Sequence, residues 1–259
     1  MQPMMNMALR AAREGSEKAI LASARLDRLK IISNDPFKFS SSMDYEINEL
    51  IVNILQKAYP SHTIKSRVGE PIIGQDTEPS WLIDPLFGSL NFSKGNPSYG
   101  VSVAIELEGE IKHSILVLPE YNEEFVASKG SGAQLNKTKL RVDPEGKLES
   151  SLLGVCLGQQ NVQSSMKLAS LLTQTNSQIR MSGCSTFDML MVCANRLGAG
   201  CCEAPQSYSE RAAVLVLKES GALISSETGD PNLEKALELY FGAPKIFKQI
   251  VKLRKQISI

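Results

Sequence analysis

The residues best suited to chemistry lie in one stretch, WLIDPLFGSLNF, residues 81–92. Trp81, Leu82 and Ile83 predict a buried strand that runs into Asp84-Pro85; Gly88-Ser89 then predicts a turn and the start of a short helix. A strand that ends in a carboxylate and hands over to a glycine turn is a common way to build a phosphate or metal site, because the amides after the turn point at an anion. The same residues also make an ordinary bend, with Asp84-Pro85 opening a turn and Gly88 tightening it. The stretch alone leaves both readings open.

The elements that must hold this stretch can be followed along the chain. Met4, Met7, Ala8, Ala11 and Ala12 recur at helical spacing after Pro3, which predicts a helix over residues 3–21. A polar loop follows at Ser33-Asn34-Asp35-Pro36. Ser41 and Asp44 have the spacing of a capping box, and Ile47, Leu50, Ile51, Ile54, Leu55 and Ala58 form one apolar stripe ending before Pro60. Beyond the central stretch, residues 98–107 and 111–118 flank Glu108-Gly109-Glu110 and predict a hairpin; residues 124–128 add a strand, and a glycine-kinked segment runs over 130–136.

Asp143-Pro144-Glu145-Gly146-Lys147 marks a boundary. Residues 1–147 read as an α+β half with an antiparallel sheet. Residues 148–259 alternate strands (151–157, 178–181, 198–203, 222–225, 239–242) with helices (164–173, 184–195, 209–220 and one from Pro244), which predicts an α/β half with a mixed sheet. The last helix carries Ile246, Phe247, Ile250 and Val251 on one face and Lys245, Lys248, Lys252, Arg254 and Lys255 on the other, a solvated basic face. No aromatic residues interleave with those cations, so direct nucleic-acid binding is not indicated.

Composition sets limits. Lys+Arg and Asp+Glu balance at 28 each, so no global field draws the chain to nucleic acid or to an anionic membrane. No apolar run is long enough to span a bilayer, and the N-terminal residues lack the features of a signal peptide. Five scattered cysteines (Cys156, Cys184, Cys193, Cys201, Cys202) predict the reduced thiols of a cytoplasmic protein. Only two histidines, His62 and His113, are present, which excludes a histidine-rich zinc site.

Read end to end, the chain resembles the inositol monophosphatase family of magnesium-dependent phosphatases, and in particular its bacterial SuhB-type branch. The resemblance is carried by MQPMMNMALRAAR at the start, AYPSHTI, WLIDPL-x-G-S-x-NF, GSGAQLN at 130–136, R-x-SGCSTFD-x-L, and the helix from Ala212 to Glu219-Ser220-Gly221. It implies a layered α-β-α-β-α sandwich. It also implies metal ligands from a Glu-Glu pair, from two aspartates of a D-P-[IL]-D-G-T motif and from a later W-D pair, with the threonine orienting the attacking water.

Against that pattern, Asp84 matches and Leu86 keeps its carbonyl, but Phe87 stands at the second aspartate and Ser89 at the threonine. Tyr208-Ser209 replaces W-D. The Glu-Glu pair falls on Arg67-Val68 without gaps, whereas a small shift lets Glu70 supply one acid. Asp44 resembles the aspartate near the third metal site, and a sugar-contacting acid falls on Cys202, beside Glu203. The residual metal set is therefore Asp84, Leu86, Glu70 and Asp44, and Ser89 is the relic of the water-orienting threonine. A positive charge in place of a ligand opposes a divalent ion by several kcal/mol, at about 4 kcal/mol per unit charge over 4 Å and an effective dielectric of 20. The expectation is that catalytic magnesium binding is lost and that no cofactor is needed.

Three functions follow. The lost metal ligands suggest a non-catalytic protein acting through fold and surface, and the resemblance, whose SuhB-type members are both inositol monophosphatases and dimeric partners of the Nus antitermination complex, implies for it the role of a homodimeric partner of Nus factors and RNA polymerase on ribosomal RNA operons. A second reading is a residual Mg2+-dependent inositol-phosphate phosphatase. A third is a metal-free module in which Arg67, Gly88 and Ser89 cradle a phosphorylated metabolite.

Overall fold

Ser41 starts the clearest helix by closing a capping box: its backbone N–H and its hydroxyl both donate to Asp44 Oδ2 at 2.8 Å. The computed structural model describes residues 2–35, 38–76, 79–159, 162–204, 207–233 and 235–257. Pro36, the last residue of the predicted polar loop, lies outside them.

The elements in chain order are α1 (Gln2–Ser23), β1 (Ile31–Ser33), β2 (Ser40–Ser41), α2 (Ser42–Ala58), β3 (Thr63–Ser66), β4 (Ser80–Phe87), α3 (Ser89–Ser93), β5 (Gly100–Leu107), β6 (Glu110–Leu118), β7 (Glu123–Ser128), β8 (Gly132–Leu135) and β9 (Thr138–Leu140). After the 143–147 segment come β10 (Leu152–Val155), α4 (Val162–Thr173), β11 (Gln178–Arg180), α5 (Ser185–Cys193), β12 (Ala199–Glu203), α6 (Tyr208–Ser220), β13 (Leu223–Ser226), β14 (Glu238–Gly242) and α7 (Pro244–Arg254).

Two main sheets form among the described residues. One has the order β3-β4-β5-β6-β7-β8-β9 and the other β11-β10-β12-β14-β13. The first is antiparallel with one exception that the sequence reading did not anticipate: β3 pairs with β4 in parallel, Thr63 opposite Ser80 and Ser66 opposite Ile83. The second is mixed, with β10 parallel to β11 and β12, and β14 antiparallel to β12 and β13.

Helices α1 and α2 cover one face of the larger sheet; α5 and α6 lie between the sheets; α4 and α7 cover the far side of the smaller one. This is the expected α-β-α-β-α sandwich. Being covered on both faces explains why β4 and most of β5 are buried throughout rather than alternating in and out. A core between α1, α2 and the larger sheet contains Ile47, Ile51, Leu55, Trp81 and Ile83. A second core joins residues before and after 147, among them Leu82, Phe87, Leu153, Leu190 and Val216.

Helix α7 departs from its expected pattern at one residue. Arg254 is not on the solvated face: it is 5% exposed, and its Nε donates to the Tyr240 hydroxyl at 2.9 Å and to Glu238 at 3.4 Å. A cation in the last turn satisfies both the helix dipole and the buried Glu238, so it turns inward.

Candidate functional site

Strand β4 carries the site because its regular pairing breaks there. Asp84 pairs with Ser102 and Phe87 with Gly100, with a register shift between them. Pro85 sits in that irregularity, where a missing N–H costs the ladder nothing. Gly88 then takes a left-handed conformation (φ 71°) and caps α3, which brings Ser89 back over the strand end. The Ser89 hydroxyl, with one proton to give, lies within hydrogen-bond distance of the Leu86 carbonyl at 2.5 Å and of Asp44 Oδ1.

Arg67, just past β3, reaches into this arrangement. The parallel β3/β4 pairing extends one step beyond the strand, with Arg67 N–H donating to the Ile83 carbonyl at 3.0 Å, and this anchors the backbone from which the side chain projects. Its Nε donates to Asp84 Oδ1 at 2.7 Å. Its Nη2 donates to Asp44 Oδ1, to the Leu86 carbonyl at 3.0 Å and to Ser89 Oγ at 3.1 Å. The guanidinium thus sits among four oxygens from α2, β4 and α3, and a fifth, the Phe39 carbonyl, accepts from its Nη1 at 3.5 Å.

The two carboxylates are enclosed, with side-chain exposures of 0% for Asp44 and 2% for Asp84, while Arg67 retains 24%. Burial works against the guanidinium's charge. The Asp84 and Asp44 carboxylates outweigh that penalty and hold its pKa above the ordinary arginine value.

The remaining carboxylate oxygens are also satisfied. Ser209, in the first turn of α6, donates to Asp84 Oδ2 at 2.6 Å. Thr186 donates to Ser209 at 3.1 Å, and Ser207 lies at the same distance from it. Asp44 Oδ2 is taken by Ser41. Helix α6 is fixed at its start by its own capping box, with Ser207 N–H donating to Glu210 Oε2 at 2.9 Å and Glu210 N–H donating to Ser207 Oγ at 3.2 Å.

The structure therefore brings Asp44, Arg67, Asp84, Leu86, Gly88 and Ser89 together. Glu70 is not among them: it lies exposed beyond Arg67, and Arg67 faces Asp84. Phe87 is buried, with its ring packed so tightly over Gly100 that a Cβ there would lie 2.5 Å from it. Cys202 is buried in β12, and neighbouring Glu203 accepts from Gln159 N–H at 2.9 Å. Cys184 caps the start of α5, and burial raises its thiol pKa despite the helix N-terminus. The capping box expected of Ser41 and Asp44 is present; what sequence reasoning missed is that it joins this network, together with Thr186 and the hydrogen bond of Ser209.

The magnesium set implied by the family resemblance does not fit these residues. Two carboxylates converge, a cation of the chain already stands between them, and positions 87 and 209 offer no acid. Among the described residues, no three His, Cys, Asp or Glu side chains gather as a metal-binding group.

A five-layer sandwich with a carboxylate at the end of β4 and a glycine-capped turn after it defines a sugar-phosphatase type of architecture. The chain belongs to the inositol monophosphatase family, whose model matches residues 1–258. It is 33% identical to Nus factor SuhB of Pseudomonas aeruginosa, over 97% of this chain and 95% of that protein. It is 27% identical to Nus factor SuhB of Escherichia coli, over 100% of this chain and 98% of that one. The crystal structure of extragenic suppressor protein suhB from Bartonella henselae superimposes with a TM-score of 0.91 at 25% identity, covering 98% of this chain and 99% of that one. No helix among the described residues is long and apolar enough to cross a membrane.

Proposed function

We propose that this chain is a catalytically inactive member of the inositol monophosphatase family that acts through its fold and surface as a Nus-type factor, a cytoplasmic homodimer that joins Nus proteins and RNA polymerase in antitermination on ribosomal RNA operons. The observation that carries the loss of catalysis is the Arg67 guanidinium held by Asp84, Asp44, the Leu86 carbonyl and Ser89. Magnesium-dependent phosphate ester hydrolysis needs a divalent ion on such oxygens to neutralise the phosphate and to lower the pKa of the attacking water. A guanidinium can offset a phosphate's charge but cannot activate water. It cannot coordinate water as a Lewis acid, and its donors are directed at the protein's own acceptors.

The transcription role is supported by the relatives, which bear the name Nus factor SuhB and align over nearly their whole length. A role that rests on surface and fold tolerates loss of the metal ligands, while the core and the layers must persist. The phosphorylated-metabolite reading is less well supported, because two aspartates against one arginine leave the cluster formally negative and the guanidinium engaged.

Two measurements on the purified protein test this. Binding to Nus proteins and RNA polymerase is expected, and its absence counts against the transcription role. An assay with inositol phosphates and Mg2+ is expected to show no turnover; turnover that disappears in Asp84→Asn would establish the residual phosphatase instead.

A further inference from the structure

We infer that the end of β4 remains a cation receptor of two carboxylates, a carbonyl and a hydroxyl, and that Arg67 is its permanent, tethered occupant, serving as the keystone that joins α2, β4 and α3. This rests on the reading of the site given above and extends it from loss of a metal to replacement of its structural part.

Asp84 Oδ1, Asp44 Oδ1, the Leu86 carbonyl and Ser89 Oγ all contact one side chain; three come from the β4–α3 corner and the fourth from α2, earlier in the chain. An all-oxygen set with two carboxylates suits a hard cation. Both aspartates are enclosed, so the fold requires a positive charge among them whatever its source. The guanidinium supplies that charge on a stem fixed by the Arg67 N–H bond to Ile83, and no ion has to be gathered from solution. A planar fork also matches several acceptors at once, which a lysine cannot do.

The inference predicts that emptying the receptor makes the protein depend on an added cation. Melting temperatures of the full chain, freed of divalent ions with EDTA, are compared with and without Mg2+, Ca2+ or low millimolar guanidinium. The natural protein is expected to melt at the same temperature throughout. Arg67→Ala is expected to melt lower by roughly 10 °C, to recover a saturable part of the loss with Mg2+, Ca2+ or guanidinium, and to bind one divalent ion per chain by calorimetry. In Arg67→Ala with Asp84→Asn the recovery is expected to disappear.

A variant that ignores all three cations overturns the inference. So does a natural protein that is stabilised by Mg2+ as much as the variant. Should Arg67→Ala fail to fold with or without added cation, Arg67→Gln is read by the same criteria, and indifference there overturns the inference equally. Phosphatase turnover by the natural protein would defeat the proposed function alone, because the receptor is judged only by the cation response of the variants.

Discussion

Ser209 donates its hydroxyl to Asp84 Oδ2 at 2.6 Å, on the carboxylate oxygen that Arg67 leaves free, and so ties the first turn of α6 to the end of β4. Both oxygens of a buried carboxylate are thereby satisfied by groups of the chain itself. Position 209 is where the family resemblance implies an aspartate; a hydroxyl there turns a shared metal ligand into a hydrogen-bond donor. The site is closed as a protein-only network.

That closure predicts the effect of Ser209→Ala. Removing the donor leaves Asp84 Oδ2 enclosed without its partner, at an expected cost of about 1–3 kcal/mol. Urea unfolding should show a lower midpoint with an unchanged slope. A variant as stable as the natural protein would mean that the hydroxyl is not needed.

Phe87 packs in the core that joins the two sheets and presses on Gly100. Phe87→Ala is expected to lose about 3–5 kcal/mol. Phe87→Asp, which restores the family's acid, should lose at least as much and bind no Mg2+ while Arg67 remains. Denaturant melts and calorimetry on the two variants check this.

Asp188, in the first turn of α5, has an Oδ2 with no hydrogen-bond partner among the described residues, and burial pushes its carboxyl up to about 7. In the unfolded chain it titrates near 3.9. Below about pH 4 both states hold the proton and the group is neutral to stability. As pH rises from about 4 to 7 the unfolded chain releases its proton first, so stability falls, and above 7 the loss is complete at about 4 kcal/mol. Asp188→Asn should therefore be more stable than the natural protein at pH 8, with the gain fading toward pH 4. Parallel stability curves for the two proteins would contradict this.

Cys184, Cys193, Cys201 and Cys202 are buried, and burial raises each thiol pKa, to about 12 for Cys193. Half-buried Cys156 is likewise pushed up to about 12. Native protein at pH 8 should react slowly with a thiol reagent and release all five thiols only on unfolding. Rapid modification of Cys184, Cys201 or Cys202 in the native state would show that the α5 cap or the β12 pair opens in solution.

Much of the architecture is legible in the residues because long elements have long-range periodicity. Helix α2 is expected from its apolar stripe and appears as Ser42–Ala58, and the hairpin appears as β5 and β6 around residues 108–110. The short strands β3 and β9 escaped, since three or four residues carry no period to read. Missing β3 also concealed the parallel pairing that aims Arg67. The inward turn of Arg254 was illegible for a related reason: helical spacing places it among lysines, and only the buried Glu238 and Tyr240 of a distant strand draw it in. At the site, Asp84, Ser89, Asp44 and Arg67 were each nameable, but that one guanidinium contacts all of them is a three-dimensional fact. Asp188 drew no notice because an aspartate in a first helical turn reads as an ordinary dipole partner.

The central claim is that Arg67 stands where a divalent ion would have to bind. Titration of the natural protein with Mg2+ in a calorimeter tests it most directly. No saturable heat in the micromolar range is expected, whereas a stoichiometric micromolar site in the presence of Arg67 would contradict that placement.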